Sequence, residues 1–364
     1  MEFSAEDALR MAVTLKDIAK RTGVSYSTVS RAVNQETANL VNPRTREKVL
    51  KAVEKYGYIP NRYARSLKVN IKQTRIIGFT SAWFPHIFMG EFVGKIMTGA
   101  FEECEKRRYD IELFPVIHGD AGEISKQLLF GRILDGILVF GYEGGGDFFD
   151  RLISLDIPHV IVNCYDPAAK QKNFVYCDSR KAARTAVEHL IEQEYREIAI
   201  IVGSAVTHDA TQRLLGYEDA LKAHSIGVNP DLIYQGSFVK SSGYEIGQQI
   251  LRSKRRLPRA VFCSNDDIAI GLLHFCQERG IRCPEDVALV GLDDAEHASY
   301  TVPSLTTVEQ PGVQLGQRAV HLLDDLIEKR VSAPVHVEVP TRLVIRNSSV
   351  TKPFADQTAL NRAV

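Results

Sequence analysis

Apolar residues follow two different periods along the 364-residue chain. Near the N-terminus they recur at the three- and four-residue spacing of an amphipathic helix, in three short segments. The positions that carry this spacing are Leu15, Ile18, Ala19, Val29, Val33, Val49, Ala52 and Val53. From Arg75 onward, short apolar runs alternate with longer amphipathic segments. The pattern therefore predicts a small all-α part followed by a larger α/β part.

Capping residues define the ends of the three N-terminal helices. Thr14 can cap the first helix, and Gly23 suits a left-handed exit from it. Ser25 can cap a second helix over about residues 26–33, and Asn42-Pro43 can begin a third. A helix, a short glycine turn, a second helix and a supporting third helix form a helix-turn-helix arrangement.

The second part of the chain alternates strands and helices. The strand candidates are 76–80, 111–116, 136–140, 158–162, 198–202, 231–235, 260–264 and 287–291. The helix candidates are 90–107, 122–133, 146–155, 180–193, 210–224, 242–253, 267–279 and 312–329. This alternation predicts doubly wound parallel sheets with helices on both faces. Eight strands exceed a comfortable single sheet, so two lobes are predicted, with a ligand where the strands end at the cleft.

Charge is distributed unevenly, although the total is zero. Residues 14–68 hold 12 Lys or Arg and 4 Asp or Glu, which is a net charge of +8. The remaining residues carry the compensating negative charge. A basic segment on a mildly acidic body fits a polyanionic partner, and a solvated basic surface is the alternative at this level.

Composition and motifs exclude several classes of protein. No apolar run is long enough for a membrane helix, and the N-terminus lacks the pattern of a secretory signal. The six Cys form no C-x-x-C pair, and no G-x-x-x-x-G-K-[ST], H-E-x-x-H or G-x-S-x-G motif occurs. We therefore predict a cytoplasmic protein that is not an enzyme and needs no metal or cofactor.

Polar side chains at the start of the second helix are candidates for DNA contact. Tyr26, Ser27, Thr28, Ser30 and Arg31 can meet base edges and phosphates in a major groove. The neighbouring cations can contact DNA phosphates, and they are Lys16, Arg21, Arg44, Arg46 and Lys48. Thr14 and Asn34 complete the predicted DNA contacts of the headpiece. The structural alternative is a small helical domain with a basic face.

Several sequence blocks closely resemble the LacI family of bacterial transcription regulators. The N-terminal blocks are TLKDIAKRTGVSYSTVSRAVN and TREKVLKAVEKYGYIPNRYARSLK. Further blocks are FCSNDDIAIG (262–271), VALVGLDD (287–294) and VPSLTTVEQP (302–311), in the family's order. The loop from Asn34 to Thr45 is two residues longer than the usual family spacing. The resemblance covers residues 14–346.

The resemblance implies a headpiece at 14–59, a hinge with a hinge helix at 60–72 and a periplasmic-binding-protein-like core at 73–346. It places residues 73–176 and 308–332 in an N-lobe, and 177–307 and 333–346 in a C-lobe. We expect the polar residues 347–364 to be a disordered tail.

The resemblance also implies a homodimer that binds a near-palindromic operator. In the family, residues matching Tyr26, Ser27 and Arg31 contact the major groove. The residue matching Leu67 inserts into the minor groove, and the one matching Ala64 packs against its dimer mate. Asn61 and Arg62 complete the predicted hinge contacts.

The family's effector site maps onto strand ends of the core. Arg213, Asn265 and Asp293 match ligand-binding positions, although each alone could be a surface charge or a helix cap. Trp83, Phe84 and Phe88 are aromatic candidates, of which we expect one to touch the ligand. Asn163 is a further candidate.

Together these features predict a repressor of carbohydrate-uptake or catabolic genes, controlled by a sugar or sugar derivative. A purine or another small metabolite is the alternative effector. A cytoplasmic solute-binding protein without operator control is the alternative function.

Overall fold

The computed structural model divides between Thr74 and Arg75 into two compact units. The structure describes residues 13–34, 37–58, 73–81, 90–115, 133–141, 152, 154–204, 207–254 and 256–350. The predicted hinge at 60–72 lies outside these ranges, and so do the helices predicted at 122–133 and 146–155, apart from residues 133, 152, 154 and 155.

The N-terminal unit, called the headpiece below, is the predicted three-helix domain. Its helices are α1 (Leu15–Thr22), α2 (Tyr26–Val33) and α3 (Pro43–Tyr56), with a 3-10 turn at Ala38–Leu40. Each predicted cap is confirmed. Thr14 and Asp17 form a capping box, Ser25 accepts from the Thr28 amide, and the Asn42 side chain accepts from the amide of Arg44. The apolar faces meet in one core around Ile18, Val29 and Val49.

The C-terminal unit, called the core unit below, alternates strands and helices. Its helices are α4 (Glu91–Arg107), α5 (Ser179–Glu192), α6 (His208–Ala223), α7 (Lys240–Lys254), α8 (Asp266–Glu278), α9 (Glu296–Tyr300) and α10 (Gly312–Ile327). Its strands are β1 (Ile76–Ser81), β2 (Asp110–Pro115), β3 (Gly136–Phe140), β4 (His159–Val162), β5 (Phe174–Tyr176), β6 (Ile198–Val202), β7 (Ile233–Gln235), β8 (Ala260–Cys263), β9 (Ala288–Asp293), β10 (Thr306–Glu309), β11 (His336–Glu338) and β12 (Arg342–Val344).

These strands form two six-stranded sheets, one in each lobe. The first has the order β11-β5-β4-β3-β1-β2, and the second has the order β12-β10-β9-β8-β6-β7. All pairings are parallel except that of β10 with β12. Strand order reverses beside β1 in one sheet and beside β6 in the other. The two lobes of doubly wound sheets are therefore confirmed, and each provides a crevice at its strand ends. Within the described residues, no helix is long and apolar enough to cross a membrane.

The lobe boundaries differ from the expected ones in two places. The whole of β10 belongs to the second sheet, so the chain returns to the N-lobe after Glu309 and not at 308. Strand β11 pairs with β5 in the N-lobe sheet, although residues 333–346 were all expected in the C-lobe. Only β12 joins the C-lobe sheet. The cause is backbone pairing, because β11 completes the open edge of β5.

The expectation of a disordered tail from 347 is wrong for its first residues. Ser348 and Ser349 are fully buried, and the carbonyl of Ser348 accepts from the amide of Leu289 at 2.8 Å. The hydroxyl of Ser349 lies 2.8 Å from Nε2 of the buried His189. Residues 347–350 thus close the C-lobe core beside β9 and β10. Residues 351–364 lie outside the described part of the chain.

Helix pairs on the sheets approach closely through glycines. A Cβ on Gly99 of α4 would lie 1.9 Å from the carbonyl oxygen of Val313 at the start of α10. Another on Gly316 of α10 would lie 2.0 Å from the carbonyl oxygen of Ile96. Both obstacles are backbone atoms in packed helices, which cannot move without shifting the helix. Any side chain at either position must therefore push α4 and α10 apart.

We expect Gly99→Ala to destabilise the core unit by about 1–3 kcal/mol, because overpacking displaces one helix. The matched control is Gly94→Ala in the same helix, where nothing lies within 4 Å of the added Cβ. That change should be neutral or stabilise by about 0.5–1 kcal/mol through helix propensity. Urea denaturation of both variants measures the difference, and equal effects would contradict the packing argument.

Truncation tests the role of residues 347–350. A chain ending at Arg346 should unfold at a temperature several degrees lower than one ending at Val350. The shorter chain leaves His189, Leu289 and Thr306 without the partners that Ser348 and Ser349 provide. Differential scanning calorimetry compares the two, and equal midpoints would show that these residues contribute nothing.

Candidate functional site

The start of α2 presents the side chains predicted to meet DNA. The Ser25 hydroxyl caps the helix by accepting from the amide of Thr28 at 3.2 Å. It also lies 3.0 Å from the hydroxyl of Ser27 and 2.8 Å from that of Thr28. Tyr26, in the first turn, keeps 42% of its surface exposed although it is a large aromatic residue. The helix is therefore oriented by its own cap with its first turn open to solvent.

The other predicted DNA contacts in the headpiece lie at its surface. The exposed members are Thr14, Lys16, Tyr26, Ser27, Arg31 and Arg44, and the half-buried members are Thr28, Ser30 and Asn34. The hydroxyl proton of Thr14 is already used in the capping box, where it is donated to Asp17 at 2.7 Å. Arg21 stacks on the ring of Tyr56, with 4.0 Å from its Cζ to the ring centroid. The role of each residue at DNA stays a prediction.

Several predicted site residues lie outside the described ranges. In the hinge these are Asn61, Arg62, Ala64 and Leu67, and after β1 they are Trp83, Phe84 and Phe88.

The remaining effector candidates lie at the carboxyl ends of strands in both lobes, with Arg213 on a neighbouring helix. Asn163 follows β4 in the N-lobe sheet. In the C-lobe sheet, Asn265 follows β8 and Asp293 ends β9, while Arg213 projects from α6. Carboxyl ends of parallel strands converge at one edge of a sheet, which explains why residues far apart in sequence meet here.

Arg213 is a buried cation, with only 4% of its surface exposed. Its Nη1 donates to the carbonyl of Ser264, and its Cζ lies 5.4 Å from the centroid of the Phe238 ring. Its Nε has no hydrogen-bond partner among the described residues. A buried guanidinium with an unused donor is suited to holding a ligand acceptor.

Asp293 lies at the end of β9 and keeps part of its surface open. Its Oδ1 accepts from Nε2 of Gln310 at 2.7 Å. Burial raises the pKa of Asp293 well above its usual range, and the positive charge of Arg213 opposes that rise. Its backbone has φ 131°, a conformation that an L-residue adopts only under strain. Strain and a perturbed pKa at a strand end are typical of a binding site.

Asn265 and Asn163 differ in whether their side-chain amides already have hydrogen-bond partners. Asn265 caps α8, since its Oδ1 accepts from the amide of Ile268 at 2.9 Å, and its Nδ2 lies 3.4 Å from the carbonyl of Phe238. Its interpretation as a helix cap is confirmed, whereas ligand contact stays a prediction. Asn163 has φ 60°, and its buried Oδ1 lacks a partner within the described part of the chain.

Three further polar residues of the cleft were not predicted. Asp209 lies one turn before Arg213 on α6 and accepts from the hydroxyl of Ser179 at 2.9 Å. Burial raises the pKa of Asp209, and the Arg213 charge opposes this effect. Ser264 and Gln310 each keep a buried side-chain oxygen without a described partner. Gln310 follows β10 within the VPSLTTVEQP block, so the strand-end rule could have identified it.

The two lobes also touch at the edge of the cleft beyond Asp293. Both carboxylate oxygens of Glu91, in the first turn of α4, accept from the amide of Glu296 at the start of α9, at 2.7 and 3.0 Å. Lys95 donates to the carbonyl of Asp294 at 2.7 Å. Among the described residues, no group of three His, Cys, Asp or Glu side chains could hold a metal ion.

Comparisons with known families and proteins agree with this architecture. A model described as bacterial regulatory proteins, lacI family, matches residues 14–61, and one described as a periplasmic binding protein-like domain matches residues 187–349. The HTH-type transcriptional repressor PurR of Klebsiella pneumoniae subsp. pneumoniae is 33% identical over 354 residues, covering 94% of this chain and 98% of the relative. PurR of Pasteurella multocida is 32% identical over 337 residues, covering 92% and 98%.

Solved structures show the same similarity over nearly the whole chain. The Lac repressor dimer bound to operator and the anti-inducer ONPF is 26% identical, with a TM-score of 0.80 and coverage of 93% of this chain and 100% of that one. The transcriptional regulator CelR in complex with cellobiose is 29% identical, with a TM-score of 0.68 and coverage of 92% and 99%. These relatives are transcriptional regulators and not enzymes, and the match at 14–61 favours operator control over the solute-binding alternative. The chain therefore belongs to the LacI family of bacterial regulatory proteins and is a DNA-binding transcriptional repressor.

Proposed function

We propose that the protein binds a near-palindromic operator as a homodimer, and that a small polar effector in the cleft around Arg213 and Asp293 controls this binding. The genes it controls, in our proposal, serve carbohydrate uptake or catabolism. The observation that carries the effector role is that Arg213, Asp293 and Gln310, which interact with one another, are strained or incompletely hydrogen-bonded among the described residues. In the N-lobe, Asn163 likewise has a buried Oδ1 without a described partner. Such a group costs stability unless something completes it.

The first turn of α2 supports the DNA-contacting role of the headpiece. Tyr26, Ser27 and Arg31 are exposed on a helix whose orientation is set by Ser25. Their hydroxyl and guanidinium groups are donors that suit guanine, adenine and phosphate acceptors. Lys16 and Arg44 are exposed at the N-terminal turns of the two neighbouring helices, where phosphate contacts are expected.

The effector that the described groups favour is a sugar or sugar derivative. Asp293, Asn163 and Gln310 offer oxygen acceptors, while Arg213 offers an unused donor. A hydroxyl can donate to one of these groups and accept from another, so a polyol satisfies both kinds. The cellobiose complex of CelR is consistent with this class. A purine is the alternative effector, in line with the relatives named PurR.

An exposed apolar segment at the end of α9 supports dimerisation. Tyr300 and Val302 keep 74% and 77% of their surfaces exposed. Large apolar side chains at neighbouring positions are typical of a protein interface. The segment begins seven residues after Asp293, so a change at the cleft can reach it through one short helix.

Arg31→Ala should lower operator affinity by about 5- to 150-fold, the range expected for loss of a base or phosphate contact worth about 1–3 kcal/mol. Fluorescence anisotropy with an operator obtained by in vitro selection measures the loss. The matched control is Lys51→Ala, which removes an exposed headpiece cation that is paired with Glu47 at 2.8 Å. Equal losses in both variants would contradict the assignment of α2 to the groove.

Asp293→Asn should abolish the effect of the effector on operator affinity. The change replaces one oxygen of the carboxyl group with an amide nitrogen, and a lost hydrogen bond that leaves a buried partner unsatisfied costs about 1–3 kcal/mol, so effector affinity should fall by about 5- to 150-fold. Operator affinity without effector should stay within about twofold of that of the unmodified protein. The measurement is operator anisotropy across sugars, sugar acids, sugar phosphates and purines. Asp219→Asn, at an exposed carboxylate paired with Arg180, is the control. An undiminished response in Asp293→Asn would refute the site.

A further inference from the structure

The carboxyl group of Asp266 lies buried against the turn of residues 293–295, between β9 and α9. Asp266 is the first residue of α8 and keeps only 1% of its surface exposed. Its Oδ2 accepts from the amide of Ala295 at 2.8 Å, and its Oδ1 accepts from the hydroxyl of Thr307 on β10 at 2.6 Å. The Thr307 hydroxyl in turn accepts from the amide of Asp294 at 3.3 Å. One carboxyl group therefore holds two successive amides of the turn, one directly and one through a hydroxyl.

Asp266 is not needed to cap its own helix. Asn265 already caps α8, since its Oδ1 accepts from the amide of Ile268 at 2.9 Å. The structural alternative is that a carboxylate in the first helical turn is favoured by the helix dipole. That alternative does not explain two hydrogen bonds that leave the helix for β10 and for the turn. Burial raises the pKa of Asp266, and the hydrogen bonds from Thr307 and Ala295 oppose this rise.

Strand β9 leaves space for this carboxyl group. A Cβ on Gly291 would lie 2.1 Å from Oδ1 of Asp266. The strand therefore has a glycine where the carboxyl group lies against it. A side chain at position 291 would push Asp266 away from the hydroxyl of Thr307.

The turn that Asp266 holds is strained. Asp293 has φ 131° and Asp294 has φ 54°, although neither is a glycine. Such conformations persist only where the surrounding contacts over-determine them. The bonds that Asp266 and Thr307 accept from the turn are contacts of this kind. They therefore help to fix the direction of the Asp293 side chain.

The same turn joins the candidate effector site to the contact between the lobes. Asp293, at its start, is the effector candidate. The carbonyl of Asp294 accepts from Lys95 of the N-lobe at 2.7 Å, and the amide of Glu296 donates to Glu91 of the N-lobe at 2.7 Å. A shift of the turn would therefore move the effector group and the bonds between the lobes together.

We propose that Asp266 is a positioning residue for the effector response. Acting through Thr307 and the turn, it holds Asp293 in place for the effector and passes a displacement of Asp293 to the bonds between the lobes. This inference rests on the effector site proposed above, and it adds how that site is connected to the contact between the lobes.

The first test is hydrogen–deuterium exchange of the full-length protein without any ligand. Thr307→Val removes the hydroxyl that links Asp266 to the turn, so the amides of residues 294–296 should exchange about tenfold faster. Thr307→Ser keeps the hydroxyl and should restore exchange to within about twofold of the unmodified protein. Asp266→Asn keeps the shape but only one acceptor oxygen, and it should also speed exchange in the turn.

Thr80→Val is the matched control for these variants. It removes another fully buried strand hydroxyl, which donates to the carbonyl of Phe114 in the N-lobe sheet at 2.6 Å. Exchange at residues 294–296 should be unchanged, because loss of a distant bond does not promote local opening of the turn.

The second test separates positioning from a purely structural role. Operator anisotropy is measured with glucose, cellobiose, gluconate, glucose 6-phosphate and hypoxanthine. The compound that changes the operator affinity of the unmodified protein should be needed at about tenfold higher concentration in Thr307→Val. In Thr307→Ser the rise should be less than about twofold. Operator affinity without any compound should stay within about twofold in both variants, because neither change touches the headpiece.

Unchanged exchange at residues 294–296 in Thr307→Val would overturn the inference, because Asp266 would not hold the turn. Faster exchange with an undiminished response would also overturn it, because Asp266 would then only stabilise the fold. If none of the five compounds changes the operator affinity of the unmodified protein, the proposed effector control fails and the inference fails with it. That failure is visible without any variant, so the two failures are distinguishable.

Discussion

Burial of the Arg213 charge is the constraint around which the cleft is organised. A guanidinium that is removed from water needs hydrogen bonds and opposite charge from its surroundings. Here the carbonyl of Ser264 provides the hydrogen bond, and the carboxyl groups of Asp209 and Asp293 interact with the guanidinium electrostatically, although burial raises the pKa of both. These groups come from α6, from the end of β8 and from the end of β9. The doubly wound topology is what brings these ends to one edge of the sheet.

The secondary structure was largely predictable because it depends on local pattern. Every buried apolar run that was predicted as a strand is one, and each headpiece cap was visible because the capping bond spans only two or three residues. The missed strands are different. Strands β5, β11 and β12 have three residues each, and the last two are mostly exposed, so they carry no apolar alternation. Strand β10 was also missed, because it has only four residues and two of them are Thr. They exist because a neighbouring strand offers unpaired backbone groups, which is information that no local pattern contains.

The site was predictable only in part for the same reason. Arg213, Asn265 and Asp293 could be found from strand ends and from the family resemblance. Ser264 could have been found at the end of the predicted strand 260–264, but Asp209 has no distinguishing local sequence and acquires meaning only where separate elements meet. Ser179 and Asp209, for example, are 30 residues apart and share a hydrogen bond. The strain at Asp293 is likewise a property of the folded chain alone, and so is the Oε1 of Gln310 that has no partner among the described residues.

The contact between Glu91 and the start of α9 has a consequence for how the lobes can move. Glu91 accepts the Glu296 amide with both oxygens, lies 3.3 Å from Nδ1 of His297, and is reinforced by Lys95, which also holds the carbonyl of Asp294. Opening the lobes at this edge would break the bonds that Glu91 and Lys95 make to residues 294–297, whereas the Glu91–Lys95 pair lies within α4 and would remain. The bonds between the lobes therefore oppose opening, and their partner Asp294 is the chain neighbour of Asp293.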